Sequence, residues 1–289
     1  MTTSAAFPVR RVRASRAGRV DRPGFLTYGL LSAFILGSTY PLWWSFVVAS
    51  GSNATRSETL PLVPGGNFLA NASQVLTAIP FWTALLNSVI VSGIITLSVV
   101  SFSTLAGYAF AKLRFRGRDG LMIGVVATMA IPTQLGIIPL FILMRQLGWT
   151  GSLGAVIVPT LVTAFGVFFM RQYLVDVIPD ELIEAARVDG ANQFRTFLTV
   201  AVPAARPAMA ILGLFTFMMA WTDFLWPLIV LSPTNPTLQT ALAQLQSGYY
   251  VDYSIVLAGA VLSVIPLLVL FLLAGRQLIA GIMSGAVKG

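Results

Sequence analysis

The chain has 289 residues, of which 56% are hydrophobic and only 10% are charged, and its formal net charge is +8. Because a soluble domain carries about 25% charged residues, this composition predicts a protein whose solvent is lipid. The absence of cysteine and histidine excludes disulfide bonds, thiol catalysis, Cys/His metal sites and Ser-His-Asp arrangements. The two lysines, Lys112 and Lys288, do not follow the glycine of a G-x-x-x-x-G-K-[ST] phosphate-binding loop. We therefore predict a non-catalytic membrane protein with no metal site and no cofactor of its own.

Long uncharged runs predict an all-α membrane protein with six transmembrane helices, since a span needs about 20 mostly apolar residues. The predicted spans cover residues 26–48, 83–109, 120–144, 153–170, 208–231 and 255–274. The uncharged stretch 60–80 is interrupted by proline, glycine and asparagine, so we predict an external loop there. Five residues inside the runs can either bend a helix beside a pathway or serve packing, and both interpretations stay open: Pro132, Gly136, Pro139, Pro159 and Pro266.

The positions of the basic residues predict the orientation of these spans. With the N-terminus inside the cell, sixteen of the eighteen lysines and arginines fall on inner segments, and Arg56 and Arg145 fall outside. Short cytoplasmic loops are enriched in Lys and Arg, so both termini are predicted to be cytoplasmic (N-in/C-in). A nucleic-acid-binding arm or a cleavable signal peptide would explain the arginine-rich start alone, and Edman sequencing that began near Gly51 would support the second. Orientation explains all the basic clusters together, so we favour a multi-pass cell-membrane protein with no nucleic-acid partner.

The inner segment 171–206 looks like folded structure, because it holds five of the ten acidic residues in two short helical patterns. Pro179 fits a first helical position, and Asp180 and Glu181 then lie in the first turn, where the helix dipole favours anions. Gly190 is placed to end this helix. A narrow apolar stripe consists of Leu182, Ile183 and Ala186.

A second short helix is predicted from Gln193 to about Ala201, with Asn192 as its cap and Pro203 beyond its end. Two short helices joined at a glycine would form a compact knob on the cytoplasmic face. The small side chains of this knob would let a partner approach, and its charged rim would orient that partner. A surface hairpin that merely joins two spans, stabilised by a Glu184–Arg187 pair at i, i+3, fits the residues equally well.

The segment EAARVDGANQFRTFLTVAVPAARP, residues 184–207, closely resembles the EAA motif of permease subunits of binding-protein-dependent ABC importers. The segments FWTALLNSVIVS, AKLRFRGRDG, IPTQLGIIPLF and LIAGIMSGAVKG look like the sugar-transporting, maltose-permease type of this family. The resemblance covers residues 81–289. It divides the chain into a basic cytoplasmic tail (1–23), a first span with its external loop (24–80), an importer core (81–276, with the EAA loop at 171–207) and a cytoplasmic tail (277–289).

This resemblance implies a membrane subunit that works within a larger assembly. A second related permease would complete the path, two ATPase subunits would bind ATP and Mg, and an extracytoplasmic solute-binding protein or lipoprotein would deliver a sugar, with a di- or oligosaccharide expected. Related permeases carry polyols or glycerol phosphate esters, which remain alternative substrates. In the family, the EAA loop forms the coupling helix that sits in a cleft of the ATPase, and the tail approaches the ATPase dimer. The implied coupling residues here are Glu184, Ala185, Ala186, Asp189, Gly190 and Lys288.

Asp223 is the one acid inside a predicted span, within the sequence MAWTDFLWPL. Intramembrane carboxylates usually face a protein interior or water, and Trp221 and Trp226 could stack on sugar rings beside it. An outer aromatic belt with Asp223 at the level of water is the alternative and is slightly favoured. The family pattern often has asparagine after the first tryptophan, where Thr222 stands here, so residue roles are transferred less firmly at this point.

Two other classes of protein compete with an importer permease. A secondary transporter or channel would work without ATP, but it needs ion-coupling groups in its spans, and the spans offer none apart from Asp223. A membrane enzyme would need the histidine, cysteine or metal cluster that the composition excludes. Collapse of transport on ATP depletion would distinguish the importer from the secondary transporter.

Overall fold

The computed structural model describes residues 24–52 and 62–286, and it describes side chains as far as residue 273. The predicted basic tail and Lys288 therefore lie outside the described residues. Within the described ranges, every regular element is helical. The chain divides into two compact units, residues 1–43 and 44–289, and the packing described below belongs to the second. The α-helices are α1 (Phe25–Ala49), α2 (Phe68–Ala78), α3 (Phe81–Lys112), α4 (Arg118–Met129), α5 (Ile137–Gln146), α6 (Leu153–Ile157), α7 (Ala164–Val177), α8 (Asp180–Val188), α9 (Gln193–Thr196), α10 (Val202–Thr222), α11 (Leu225–Val230), α12 (Leu238–Gln244) and α13 (Tyr253–Ala286).

Five helical stretches of the described chain are long and apolar enough to cross a membrane, and a sixth crossing is present if one bent pair counts as a span. The five are Phe25–Ala49, Phe81–Lys112, Leu153–Val177, Gln193–Thr222 and Tyr253–Leu273. The bent pair, Arg118–Met129 with Thr133–Gln146, replaces the straight third span that we predicted, and its two parts meet at 88°. Pro132 precedes the second part in extended conformation, and it lacks the N–H group that would continue the helix.

The fourth and fifth spans differ most from the prediction, since the fifth covers Gln193–Thr222 instead of residues 208–231. The fourth span continues past residue 170 to Val177, so the loop that follows it is shorter than predicted. The helix predicted to stop before Pro203 instead runs on without a break to Thr222. A π-helical turn, Phe197–Ala201, directly precedes α10, whose second residue is Pro203. A local π-helical adjustment of this kind accommodates the missing N–H of a proline without ending the helix.

The stretch predicted to be an external loop contains α2 and is fixed to the end of α1. The buried Asn71 side chain donates from Nδ2 to the carbonyl oxygens of Ala49 at 2.8 Å and Gly51 at 2.9 Å. Gly65 donates its N–H to Ser50 Oγ at 2.8 Å. Asn71, one of the residues that suggested a loop, therefore satisfies two carbonyl groups at the end of α1.

Helix α3 is the central element of the second unit and packs against both α7 and α10. One buried cluster surrounds the later part of α3 and includes Tyr108, Met170 and Leu174. A second cluster surrounds its start and includes Phe81, Trp221 and Leu238. Between α3 and α7 the contact is close, because Gly107 lies directly against the backbone of Met170 and Arg171.

The two ends of α3 hold two different surface segments. Near its start, Asn87 donates to Asn235 Oδ1 at 2.8 Å, and Ser88 Oγ accepts the N–H of Leu238 at 2.7 Å. At its other end, Lys112 Nζ contacts Asp180 of α8 at 2.8 Å. A rise of 1.5 Å per residue places these ends about 36 Å apart, which exceeds the hydrocarbon thickness of a bilayer. The segment around α12 and the helix α8 therefore lie at opposite ends of a membrane-length helix.

Candidate functional site

Helix α8 is a short element with well-defined ends. Pro179 is extended (φ −62°, ψ 146°) and immediately precedes the first helical residue, one position earlier than predicted. Gly190 has a φ of +78°, which L side chains rarely adopt, and the N–H of Ala191 donates to the carbonyl of Ala186 at 2.9 Å. The predicted helix and its glycine stop are confirmed.

The cap of the next helix is also confirmed. Asn192 Oδ1 accepts the backbone N–H of Arg195 at 2.8 Å. From there α9, the π-helical turn and α10 form one continuous span. Only Ile178 and Pro179 separate α7 from α8, so α8 is joined by short connections to a membrane span on each side.

Most of α8 faces outward. Ile183 is its one buried residue, at 4% exposure, and Ala186 is half-buried against the body of the protein. Glu184, Ala185, Asp189 and Gly190 are exposed, as a docking element requires. Sequence reasoning assigned Leu182 to the packing stripe and passed over Val188, yet the two are 51% and 87% exposed. Helical periodicity places Leu182 away from Ile183, so the pattern contained this information.

The ion pair that holds α8 is not the one predicted. Among the described residues, the ion pairs are Lys112–Asp180 and Arg118–Asp119, and Glu184 forms none with Arg187. The Lys112 side chain is only 6% exposed, whereas that of Asp180 is 74% exposed. The hydrogen bond from Lys112 lowers the pKa of Asp180 below its ordinary value, and the charge of Lys112 acts in the same direction. Asp180 therefore ties α8 to the end of α3.

We expect Asp180→Asn to loosen α8, because a nearly buried ammonium group loses its anionic partner. Since the folded-state pKa is lowered, the contribution of the pair is present above the ordinary pKa of aspartate and is lost as the pH falls through the lowered pKa. The wild-type chain should resist proteolysis at residues 178–192 better than the variant at pH 7, and the two should converge at acidic pH. Asp119→Asn is the matched control, since Asp119 pairs with its sequence neighbour. Equal proteolysis of Asp180→Asn and wild type at pH 7 would contradict the anchoring role.

The predicted path residues lie at the opposite end of the protein from α8. Trp221 is 1% exposed, and its indole N–H donates to the carbonyl of Ser263 at 3.3 Å. Trp226 is 7% exposed and donates to the carbonyl of Ala155 at 3.0 Å. Although they are close in sequence, the two rings belong to different buried clusters. Both indole groups are thus used in packing, and their contact with a solute stays a prediction.

Asp223 lies just after a span and not within one, which corrects the sequence prediction. The span ends at Thr222, and Asp223 is extended (φ −65°, ψ 123°) at the break before α11. Its half-buried carboxyl group faces the backbone N–H groups of Phe224, Leu225 and Trp226. Within the described residues, no three carboxylates lie close enough together to hold a metal ion.

These features define a class of protein: a multi-span helical membrane protein that presents an exposed helix between two spans. Residues 100–278 match the family described as the inner membrane component of binding-protein-dependent transport systems. The chain belongs to this family, and it is a non-catalytic, multi-pass inner membrane component of a bacterial ABC importer.

Named relatives and a solved structure agree with this membership. The chain is 38% identical over 210 residues to the arabinooligosaccharides transport system permease protein AraQ of Halalkalibacterium halodurans, with 72% of this chain and 75% of that protein covered. It is 32% identical over 272 residues to the lactose transport system permease protein LacG of Rhizobium radiobacter, with 92% and 97% covered. A crystal structure of a bacterial ABC transporter involved in the import of the acidic polysaccharide alginate superposes with a TM-score of 0.73 at 26% identity, covering 87% of this chain and 94% of that one.

Proposed function

We propose that this permease carries a di- or oligosaccharide into the cell and that α8 is the coupling helix through which separate ATPase subunits drive it. The observation that carries the proposal is the placement of α8, an exposed helix anchored at one end of α3 and joined closely to the spans α7 and α9–α10. A helix attached in this way transmits a push from outside the membrane into two spans as a rigid-body movement.

The proposed docking face combines apolar contact with charge. Leu182, Ala185 and Val188 offer exposed apolar surface, and Asp189 adds a carboxylate beside it. ATP and Mg would be bound by the two partner ATPases, whose closure on ATP would move the docked α8. Such a movement changes access only if the docked state has different contact energies in the inward-facing and outward-facing conformations. Lys288, outside the described residues, is proposed as a further contact of the tail with the ATPases.

The proposed orientation places α8 and both termini in the cytoplasm. The inner clustering of sixteen of the eighteen basic residues supports it. The segment around α12 then lies on the outer side, about 36 Å away along α3. Tyr249, Tyr250 and Tyr253 are 108%, 65% and 52% exposed near this end, and we propose that they meet the solute-binding protein that delivers substrate.

The substrate class is proposed from the relatives. The two relatives are named for arabinooligosaccharides and lactose, and the solved structure is described as an importer of alginate. These solutes are all saccharides of two or more units, which favours a di- or oligosaccharide for this chain. A second related permease would provide the other half of the path, because permeases of this kind are expected to work in pairs.

The test is reconstitution of the importer in proteoliposomes that contain this chain, its partner permease and the ATPase pair. We expect uptake of labelled lactose or arabinotriose to require both the solute-binding protein and ATP on the ATPase side. Uptake that persists without ATP and without the ATPases would contradict the proposal and favour a secondary transporter. ATP-driven import of a glycerol phosphate ester, with no saccharide uptake, would change the substrate class and leave the coupling role intact.

We expect Asp223→Ala to lower uptake about tenfold if its carboxylate accepts hydrogen bonds from sugar hydroxyl groups, since one such contact is worth about a factor of ten. Asp223→Asn is the matched variant, because it keeps an oxygen facing the backbone N–H groups of α11 and loses only the charge. If uptake is impaired in the alanine variant and not in the asparagine variant, Asp223 acts by accepting hydrogen bonds from the backbone at the helix break and not by binding sugar. Unchanged uptake in both variants would remove it from the path.

A further inference from the structure

Two cavities adjoin each other where α3 ends, and they differ in chemistry. The first is a cleft of about 590 Å³ between α8 and the turn that follows α3. Its basic lining consists of Lys112, Arg114, Arg118 and Arg187, and its acidic lining consists of Asp180 and Glu184. The second is a groove of about 480 Å³ lined almost entirely by apolar side chains.

The charges of the cleft leave an excess of cations. Lys112 is paired with Asp180 at 2.8 Å, and Arg118 Nε contacts Asp119 at 3.1 Å. Neither Arg114 nor Arg187 has a carboxylate within ion-pair distance in the described part of the chain, so two guanidinium groups line the cleft against the one remaining acid, Glu184. A guanidinium group binds phosphate oxygens with two parallel hydrogen bonds, which makes the cleft suited to an anionic phosphate ester.

The groove runs along the last turns of α3 and opens beside the cleft. Its exposed walls include Phe102, Leu105 and Phe194, which are 50%, 43% and 63% exposed. Leu113 and Gln193 line both cavities, so the cavities meet at these two side chains. One molecule could therefore lie in both at once, with a charged end in the cleft and an apolar end in the groove.

The position of the two cavities matches the boundary of a membrane. Helix α3 crosses as a span and ends at Lys112, and the bent pair begins at Arg118. The cleft thus lies where two crossing segments meet the aqueous layer, and the groove lies on the span itself. Basic pockets between transmembrane helices at this level are suited to anionic headgroups.

We propose that the two cavities together hold one anionic phospholipid, with its phosphate between Arg114 and Arg187 and an acyl chain along Phe102, Leu105 and Phe194. The charge excess of the cleft, and its continuity with an apolar groove on a membrane span, select this ligand over a free anion or a neutral lipid. The lipid would contact α8 through Arg187, so the leaflet at the α8 end of α3 would help to set the position of that helix. The proposal rests on the membrane placement of α3 and not on the proposed coupling role.

The test uses the complete importer, delipidated and then exposed to mixed micelles that contain either palmitoyl-oleoyl phosphatidylglycerol or the matching phosphatidylcholine. Native mass spectrometry counts the lipids retained. We expect one phosphatidylglycerol to be retained about tenfold more than phosphatidylcholine, and this preference should disappear in Arg114→Gln/Arg187→Gln. Arg145→Gln, which removes a positive charge at the far end of α5, is the matched control and should keep the preference.

Two further experiments test whether the bound phosphate belongs to a lipid or is a free ion, and whether an acyl chain occupies the groove. Leu105→Trp should fill the groove and reduce retention of the long-chain lipid, while inorganic phosphate or dihexanoyl phosphatidylglycerol should compete poorly with it. Equal retention of the two headgroups, or full competition by phosphate alone, would overturn the proposal. A preference seen without the ATPase subunits and lost when they bind would also overturn it, because the cleft would then be filled by protein in the importer.

Discussion

Gly107→Val is expected to separate α3 from α7 and to prevent assembly of a stable importer. A Cβ atom at this position would lie 2.8 Å from both Met170 Cβ and the backbone nitrogen of Arg171, which is closer than such atoms ever approach. The clash involves backbone, so no side-chain rotation relieves it. Overpacking of this kind costs about 1–3 kcal/mol or more, and small residues at helix contacts are the main means of close packing in membranes.

A glycine of α7 also makes the contact between α3 and α7 close, because a Cβ atom on Gly166 would collide with the hydroxyl group of Ser103. Ser103 and Gly107 of α3 therefore face Gly166 and Met170 of α7, and the two residues on each helix are four positions, or about one turn, apart. Gly93→Val is the matched control, since Gly93 lies on the same helix and a Cβ atom added there would meet nothing within 4 Å. The thermal midpoint of the purified protein in detergent, with the yield of assembled importer, is the measurement. A midpoint for Gly107→Val equal to that of Gly93→Val would show that the helices do not pack as described.

Glu184→Lys is expected to abolish saccharide uptake and to remove the stimulation of ATP hydrolysis by the loaded binding protein. Glu184 faces a cleft that already contains Lys112, Arg114, Arg118 and Arg187, so charge reversal leaves these cations without their one unpaired acid. Like charges at this spacing repel, and α8 should shift from the position in which its outer face meets the ATPase. We expect uptake to fall by at least about a hundredfold, which corresponds to about 2.7 kcal/mol of lost coupling energy.

Glu181→Lys is the control for this variant, because it makes the same charge change on the same exposed helix but outside the cleft. Its effect on uptake should be small. Normal uptake with normal ATPase stimulation in Glu184→Lys would refute the coupling assignment. Equal loss in both variants would assign the effect to the net charge of α8 and not to the position of Glu184.

The predictable part of the fold is the part decided by local physics. A span must satisfy its own backbone hydrogen bonds and bury its side chains in lipid, so a charge-free run of sufficient length predicts a helix. The end of α8 and the start of α9 were predictable for the same reason, because Gly190 and Asn192 act on backbone groups within a few residues. A bend at Pro132 was one of the two roles that the sequence left open, because the sequence alone does not show whether a proline in a span bends the helix or serves packing.

The missed features depend on contacts between residues far apart in the chain. Asn71 suggested a loop because its partners, the carbonyl groups of Ala49 and Gly51, are about twenty residues away. Asp180 pairs with Lys112 across 68 positions, whereas sequence reasoning could see only the local pair Glu184–Arg187. The hydrogen bonds of Trp221 and Trp226 join residues 42 and 71 positions apart. The partners of these charged and aromatic side chains are therefore set by tertiary packing, which local sequence patterns do not reveal.

The 88° bend between Arg118–Met129 and Thr133–Gln146 affects how stable the chain is in the membrane without its partner subunits. Irregular backbone is tolerated at membrane depth only where protein or water covers it. Ile131, Leu135 and Ile138 at the bend are 61%, 72% and 73% exposed, so the described part of the chain leaves these side chains uncovered. We expect the backbone groups freed by the break to need a cover of protein or water, so the isolated chain should be less stable in a bilayer than the same chain in the assembled importer.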